Sequence, residues 1–99
     1  MYYLVWSYEV DPPKRAQFEL EYSRAGAWFR FYEPCGDYLG HELIKNTKSG
    51  NYLLIDKWMD KASYEEFVKS NLMEYDALNR KSRDLYDTEE LLGAYETLS

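Results

Sequence analysis

Asn51-Tyr-Leu-Leu-Ile-Asp-Lys-Trp-Met-Asp-Lys-Ala-Ser-Tyr-Glu-Glu-Phe67 changes period midway. Up to Met59 the residues alternate. Tyr52, Leu54, Asp56 and Trp58 fall on one face, and Leu53, Ile55, Lys57 and Met59 on the other, which is the period of a strand. From Asp60 the pattern is helical. Asp60 is a good N-cap, and Ser63 with Glu66 three residues later offers an alternative capping box. Tyr64, Phe67 and Val68 then recur at helical spacing. A strand running straight into a helix opens a β-α unit, and the rest of the chain decides what that unit pairs with.

Upstream, Asp37 to Asn46 reads as a strand with Leu39, His41 and Leu43 on one face. Thr47-Lys-Ser-Gly50 is turn chemistry, so this strand and the next form a hairpin. The chain opens on Tyr2 to Val10, rich in aromatic and β-branched residues, with Tyr2, Leu4, Trp6, Tyr8 and Val10 on one face. Asp11-Pro12-Pro13 then introduces a helix running to about Arg24. Ala25-Gly26 interrupts it, and Ala27 to Tyr32 resumes before Pro34 and Gly36. Downstream, Leu72 to Tyr86 is a further helical stretch, Asp87-Thr88 breaks it, and Glu90 to Leu98 is the last strand. The order β-α-β-β-α-β predicts an α+β, ferredoxin-like domain. It has a four-stranded antiparallel sheet with helices on one face, and strands one and three lie side by side in the middle. That central pair is expected to run parallel. The opposite sheet face is apolar, and a large apolar face marks an interface, so a homodimer with sheets packed face to face is expected.

The chain has 99 residues, enough for one domain spanning its length. Twelve basic against 18 acidic residues give a net charge of −6, and no basic face emerges. This argues against a nucleic acid or an anionic membrane as partner. The densest basic segment, Asn79-Arg-Lys-Ser-Arg83, is flanked by acids. Eleven tyrosines, amphipathic side chains suited to half-wet pockets, point to a small-molecule ligand, an interface or both. With a single cysteine, no apolar run of about 18 residues and no signal-like start, a cytoplasmic protein is expected.

Taken together, the opening strand into Val10-Asp-Pro, Gly36-Asp-Tyr-Leu-Gly-His-Glu-Leu43, Tyr52-Leu-Leu-Ile-Asp-Lys-Trp58, the helix from Ser63 to Phe67 and the closing Glu90-Leu-Leu-Gly93 carry a resemblance. The chain resembles the dimeric α+β barrel proteins of the antibiotic biosynthesis monooxygenase-like group. The resemblance implies two sheets sharing a barrel, with a pocket in each subunit between sheet and helices. Family members include oxygenases that act without metal or organic cofactor on electron-rich aromatic substrates, and haem-degrading enzymes. Trp58 matches the family's tryptophan near the end of the third strand, so it is a candidate pocket wall; it would equally serve as packing under the helices. The haem-degrading relatives pair that tryptophan with a histidine on the following helix and an asparagine on the first strand, and this chain has neither.

His41, the only histidine, is a candidate general base, although a lone strand histidine is more often hydrogen-bonded structure. With no second imidazole and no compact carboxylate cluster, no metal is expected. Trp6 and Tyr8 share a strand face and would line a substrate site. Asp56 lies on the face of Trp58, where a buried carboxylate needs a partner or a raised pKa. An ion pair with an arginine such as Arg30 ranks ahead of a role as base. The aromatic run Trp28-Phe29-Phe31-Tyr32 reads as core and pocket lining. Two functions follow: an oxygenase-like enzyme for a small aromatic or quinol substrate, with His41 and Trp58 catalytic and Trp6, Tyr8 and Asp56 binding, or a non-catalytic dimeric protein that binds a small aromatic or apolar ligand.

Overall fold

In a computed structural model of the chain, residues 1–98 are described. Four strands, β1 (Tyr2–Glu9), β2 (Tyr38–Lys45), β3 (Tyr52–Trp58) and β4 (Thr88–Glu96), form one sheet in the order β2-β3-β1-β4. Helices α1 (Arg15–Glu21) and α2 (Ala27–Tyr32) lie between β1 and β2. Helices α3 (Lys61–Ser70) and α4 (Leu72–Ser82) lie between β3 and β4. This is the expected ferredoxin-like order, with each crossover split into two short helices.

Every neighbouring pair of strands is antiparallel, including the central one. The parallel pairing expected of strands one and three is therefore corrected. The two crossovers join β1 to β2 and β3 to β4, strands that are not neighbours. β3 leaves β2 by a hairpin, so it runs opposite to β2 and hence opposite to β1.

Each helix boundary has a local cause. The Asp60 carboxylate accepts the Ser63 amide at 2.7 Å and starts α3, so Asp60 is the cap, while the Ser63 hydroxyl reaches Asp37. Pro12–Lys14 forms a 3-10 turn, and α1 proper begins only at Arg15. α1 ends at Glu21, short of Arg24, and a turn leads to Gly26 at the start of α2. A Cβ at Gly26 would sit 1.9 Å from the Glu21 carbonyl oxygen, so only glycine allows the two helices to meet this closely.

The sheet face under the helices is lined by aromatic rings in two clusters. One holds Tyr8, Val10, Phe18, Tyr22, Tyr52 and Leu54, with Phe18 stacked on Tyr22 at a centroid distance of 4.3 Å. The other holds Tyr2, Leu4, Tyr32, Tyr38 and Trp58. Trp6 and Trp28 pack against both, so they mark the seam between them. The outer sheet face carries Ile44 opposite Leu53, and Val5 opposite Ile55, with Tyr95 beside Tyr3. Ile44 and Tyr95 are about half exposed.

The alternation expected along β2 fails at one place. A bulge between Tyr38 and Gly40 puts Leu39 out of register and exposes it, so Tyr38, His41 and Leu43 face the helices instead. Gly40 takes φ +99°, a left-handed conformation that suits glycine.

Candidate functional site

The open space under the helices lies at the seam. A small cavity of about 30 Å³ is bounded by Trp6, Tyr8, Tyr22, Trp28, Tyr32, Leu54, Asp56, Tyr75, Asn79 and Glu89. Trp6, Tyr75, Asn79 and Glu89 also line an outer cleft of about 550 Å³, completed by Asp76, Arg80, Arg83 and Tyr86. The inner space suits one or two water molecules. The outer cleft is in the size range of a small-molecule site. Together they form a funnel running from the α4–β4 edge down to the sheet.

Asp56 sits at its floor. Cross-strand pairing places it between Leu4 of β1 and His41 of β2 on the helix-facing side, and it is 7% exposed. Burial among apolar and aromatic groups drives its carboxyl up from 3.8 to about 7, and the Trp6 indole N–H only partly opposes this. The expected ion pair with Arg30 is absent. Arg30 turns its guanidinium to the Ala25 carbonyl, and the ion pairs among the described residues are Lys45–Glu19 and Lys57–Glu42. α2 holds Arg30 on its outer side, and among the described residues no cation pairs with Asp56, so burial leaves its carboxyl titrating near neutrality. That is what a general base working at pH 7 needs.

Tyr8 lies beside it, and its hydroxyl donates to the Glu89 carboxylate at 2.7 Å across the β1–β4 pair. Burial, followed by the nearby Tyr22 and Glu89, raises the Tyr8 phenol far above its ordinary value, so Tyr8 stays a neutral donor. The Trp28 indole donates to Ser82 at 3.0 Å, tying α2 to the end of α4 across the cavity roof.

The structure thus brings Trp6, Tyr8 and Asp56 to the cavity, whereas His41, paired directly across from Asp56, and Trp58, two residues further along the same strand face, line neither the cavity nor the cleft. Both nitrogens of His41 are engaged: Nε2 faces the Tyr22 carbonyl at 2.8 Å and Nδ1 the Tyr38 hydroxyl at 2.8 Å. A carbonyl only accepts, so Nε2 carries the proton and Nδ1 accepts from Tyr38. Burial lowers the His41 pKa, which keeps the ring neutral. The imidazole borders a separate open groove between α1 and β2, lined also by Arg24, Lys45 and Lys57. Trp58 is 0% exposed and lines neither the cavity nor the cleft. Tyr32, Tyr38, Tyr64 and Phe67 surround it at centroid distances of 5.2–5.9 Å, and its buried N–H has no hydrogen-bond acceptor among the described residues. In this chain its place is in the core.

Tyr75, Asn79 and Glu89 are not among the site residues expected from the sequence. Tyr75 and Asn79 are four residues apart on α4, a helical repeat that put both on its inner face. Glu89 had no such signal, because β4 begins at Thr88, two residues before the predicted strand. Among the described residues no three His, Cys, Asp or Glu side chains are grouped to hold a metal ion, and no helix is long and apolar enough to cross a membrane.

The same fold recurs in solved structures. SnoaB, a cofactor-independent oxygenase from Streptomyces nogalater, superposes with a TM-score of 0.72 at 22% identity, over 99% of this chain and 93% of that one. The fold is that of the antibiotic biosynthesis monooxygenases. A protein of Bordetella bronchiseptica provisionally named an antibiotic biosynthesis monooxygenase gives a TM-score of 0.75 at 14% identity, covering 99% and 97% of the two chains. One from Nitrosomonas europaea, provisionally named in the same way, gives 0.72 at 12% identity over the whole of both chains. No family model and no curated protein matches the sequence. The monooxygenase-like fold expected from the sequence is thus seen in the structure.

Proposed function

We propose that the protein is a small oxygenase-type enzyme that oxidises an electron-rich aromatic or quinol substrate with dioxygen, with Asp56 as its base. The observation that carries this reading is a buried carboxyl with no cation beside it, poised near pH 7 at the end of an aromatic funnel. A phenol or quinol becomes readily oxidised once it loses a proton. The 30 Å³ inner space is too small for a ring, so the ring lies in the outer cleft against Trp6, with its hydroxyl pointing inward. Its proton passes to Asp56 directly or through one water. The resulting anion gives an electron to dioxygen, and the protein contributes orientation and exclusion of bulk water. Tyr8, kept neutral, donates only to Glu89 and shapes the wall.

The oxygenase-like neighbours support the reading at the level of fold. The half-exposed apolar outer sheet face supports a homodimer packed sheet to sheet. One cysteine and an acidic chain suit a cytoplasmic setting.

Oxygen uptake with a panel of naphthalene- and anthracene-diols tests the proposal. Turnover that Asp56→Asn abolishes is the expected result. Thermal stabilisation by the same diols with no oxygen uptake would replace the enzyme by a non-catalytic binding protein.

A further inference from the structure

The densest run of positive charge in this acidic chain, Asn79-Arg-Lys-Ser-Arg83, closes helix α4. Cations at a helix C-terminus complement its dipole wherever they point. Their placement here is more selective. Arg80 and Arg83, three residues apart, both line the outer cleft, and Lys81 between them does not. Neither guanidinium has an ion-pair partner among the described residues, where the ion pairs are Lys45–Glu19 and Lys57–Glu42. The cleft contains two acids, and neither is bound to the arginines. Glu89 already accepts the Tyr8 hydroxyl, and Asp76 is exposed.

The funnel is therefore graded. Its floor is a carboxyl suited to taking a proton, its middle is aromatic, and its rim offers two planar cations. A guanidinium matches a carboxylate in geometry and stays charged at any working pH.

We propose that the substrate is an aromatic acid whose ring lies on Trp6, whose hydroxyl points inward toward Asp56, and whose carboxylate is held at the rim by Arg80 and Arg83. This rests on the reading of the funnel as the reaction site and adds to it the substrate's charge. The carboxylate and the reacting hydroxyl then sit at opposite ends of the ring system, so the rim sets which position of the ring meets the base. Arg80 and Arg83 are positioning residues in this scheme.

The test compares two probes of one shape, 6-hydroxy-2-naphthoate and 6-hydroxy-2-naphthamide, by calorimetry at pH 7.5. The proteins are the unaltered chain, the double variant Arg80→Gln/Arg83→Gln, and Lys81→Gln. The acid should bind about tenfold more tightly than the amide, the size of a hydrogen bond to a charged group. The double variant should lose that preference while keeping the amide's affinity, and Lys81→Gln should change neither. All three positions are exposed, and matched thermal midpoints would confirm that folding is intact. Equal binding of acid and amide to the unaltered protein would overturn the inference and leave the aromatic site standing. Binding of neither probe would overturn the inference together with the site beneath it.

Discussion

Replacing Asp56 by asparagine should stabilise the protein at alkaline pH while abolishing its chemistry. The carboxyl titrates at 3.8 when exposed and at about 7 in the fold, because burial disfavours its charged form. The folded state therefore binds its proton more tightly than the unfolded state. Its contribution to stability is complete below pH 3.8 and is lost as pH rises through about 7. At about 1.4 kcal/mol per pH unit, the loss across that window is roughly 4 kcal/mol. That is a large part of the roughly 5–15 kcal/mol that holds a domain together. Asparagine has nearly the same shape and cannot ionise. Urea unfolding of both proteins at half-unit steps from pH 4 to 8.5 is the assay. Taking the difference between the two curves removes every other titrating group. The asparagine variant should gain on the parent progressively above pH 4 and level off near pH 8, ahead by up to roughly 4 kcal/mol. A difference that stays flat with pH, or that moves in favour of the parent as pH rises, would refute the argument for a charge-starved carboxyl.

Three further perturbations separate site from scaffold. His41→Ala leaves the Tyr38 hydroxyl and the Tyr22 carbonyl without their partner, so it should cost roughly 1–3 kcal/mol in urea unfolding yet leave kcat unchanged. Trp58→Ala should lose about 3–5 kcal/mol of stability, while Trp58→Phe, which keeps a ring and removes an unpaired N–H, should lose much less, with substrate affinity unaltered in both when read by calorimetry. Val5→Lys, at the middle of the outer sheet face, should turn the proposed homodimer into a monomer in light scattering without changing the circular dichroism spectrum.

The architecture was legible because its signals are periodic. The switch from alternation to helical spacing at Asp60 is real, and Asp60 caps the helix as its side chain suggests. The direction of the central strands was a matter of geometry rather than composition. Tyr2–Glu9 and Tyr52–Trp58 are equally apolar whichever way they run, and their antiparallel sense follows from the order of connections, a crossover and then a hairpin, rather than from composition. At Leu39 a bulge displaces the alternation, and Gly40 inside the strand, free to take a positive φ, is the residue that permits it.

The site was legible in part. Trp6, Tyr8 and Asp56 share a strand face with the cavity, so strand parity found them. His41 ranks above them by residue type, and Trp58 by its match to the family's third-strand tryptophan. A histidine draws attention by its ordinary pKa, yet this one is held between a carbonyl and a phenol. A buried aspartate looks as if it needs an arginine. Which cation can reach it depends on helix rotation, and α2 turns Arg30 away. Trp58 and Trp6 are the same residue type on adjacent strands, and only packing decides which one meets open space. Tyr64 and Phe67 of α3 close over Trp58, while Trp6 stays at the seam where the two clusters part.

A crystal structure of the protein with a bound dihydroxynaphthalene tests the central claim most directly. The account predicts the ring in the cleft between β4 and α4, lying on Trp6, with one hydroxyl within hydrogen-bond reach of Asp56 or of a single water bridging to it. A ring seated in the α1–β2 groove beside His41, or one that enters the packed cluster around Trp58, would contradict it.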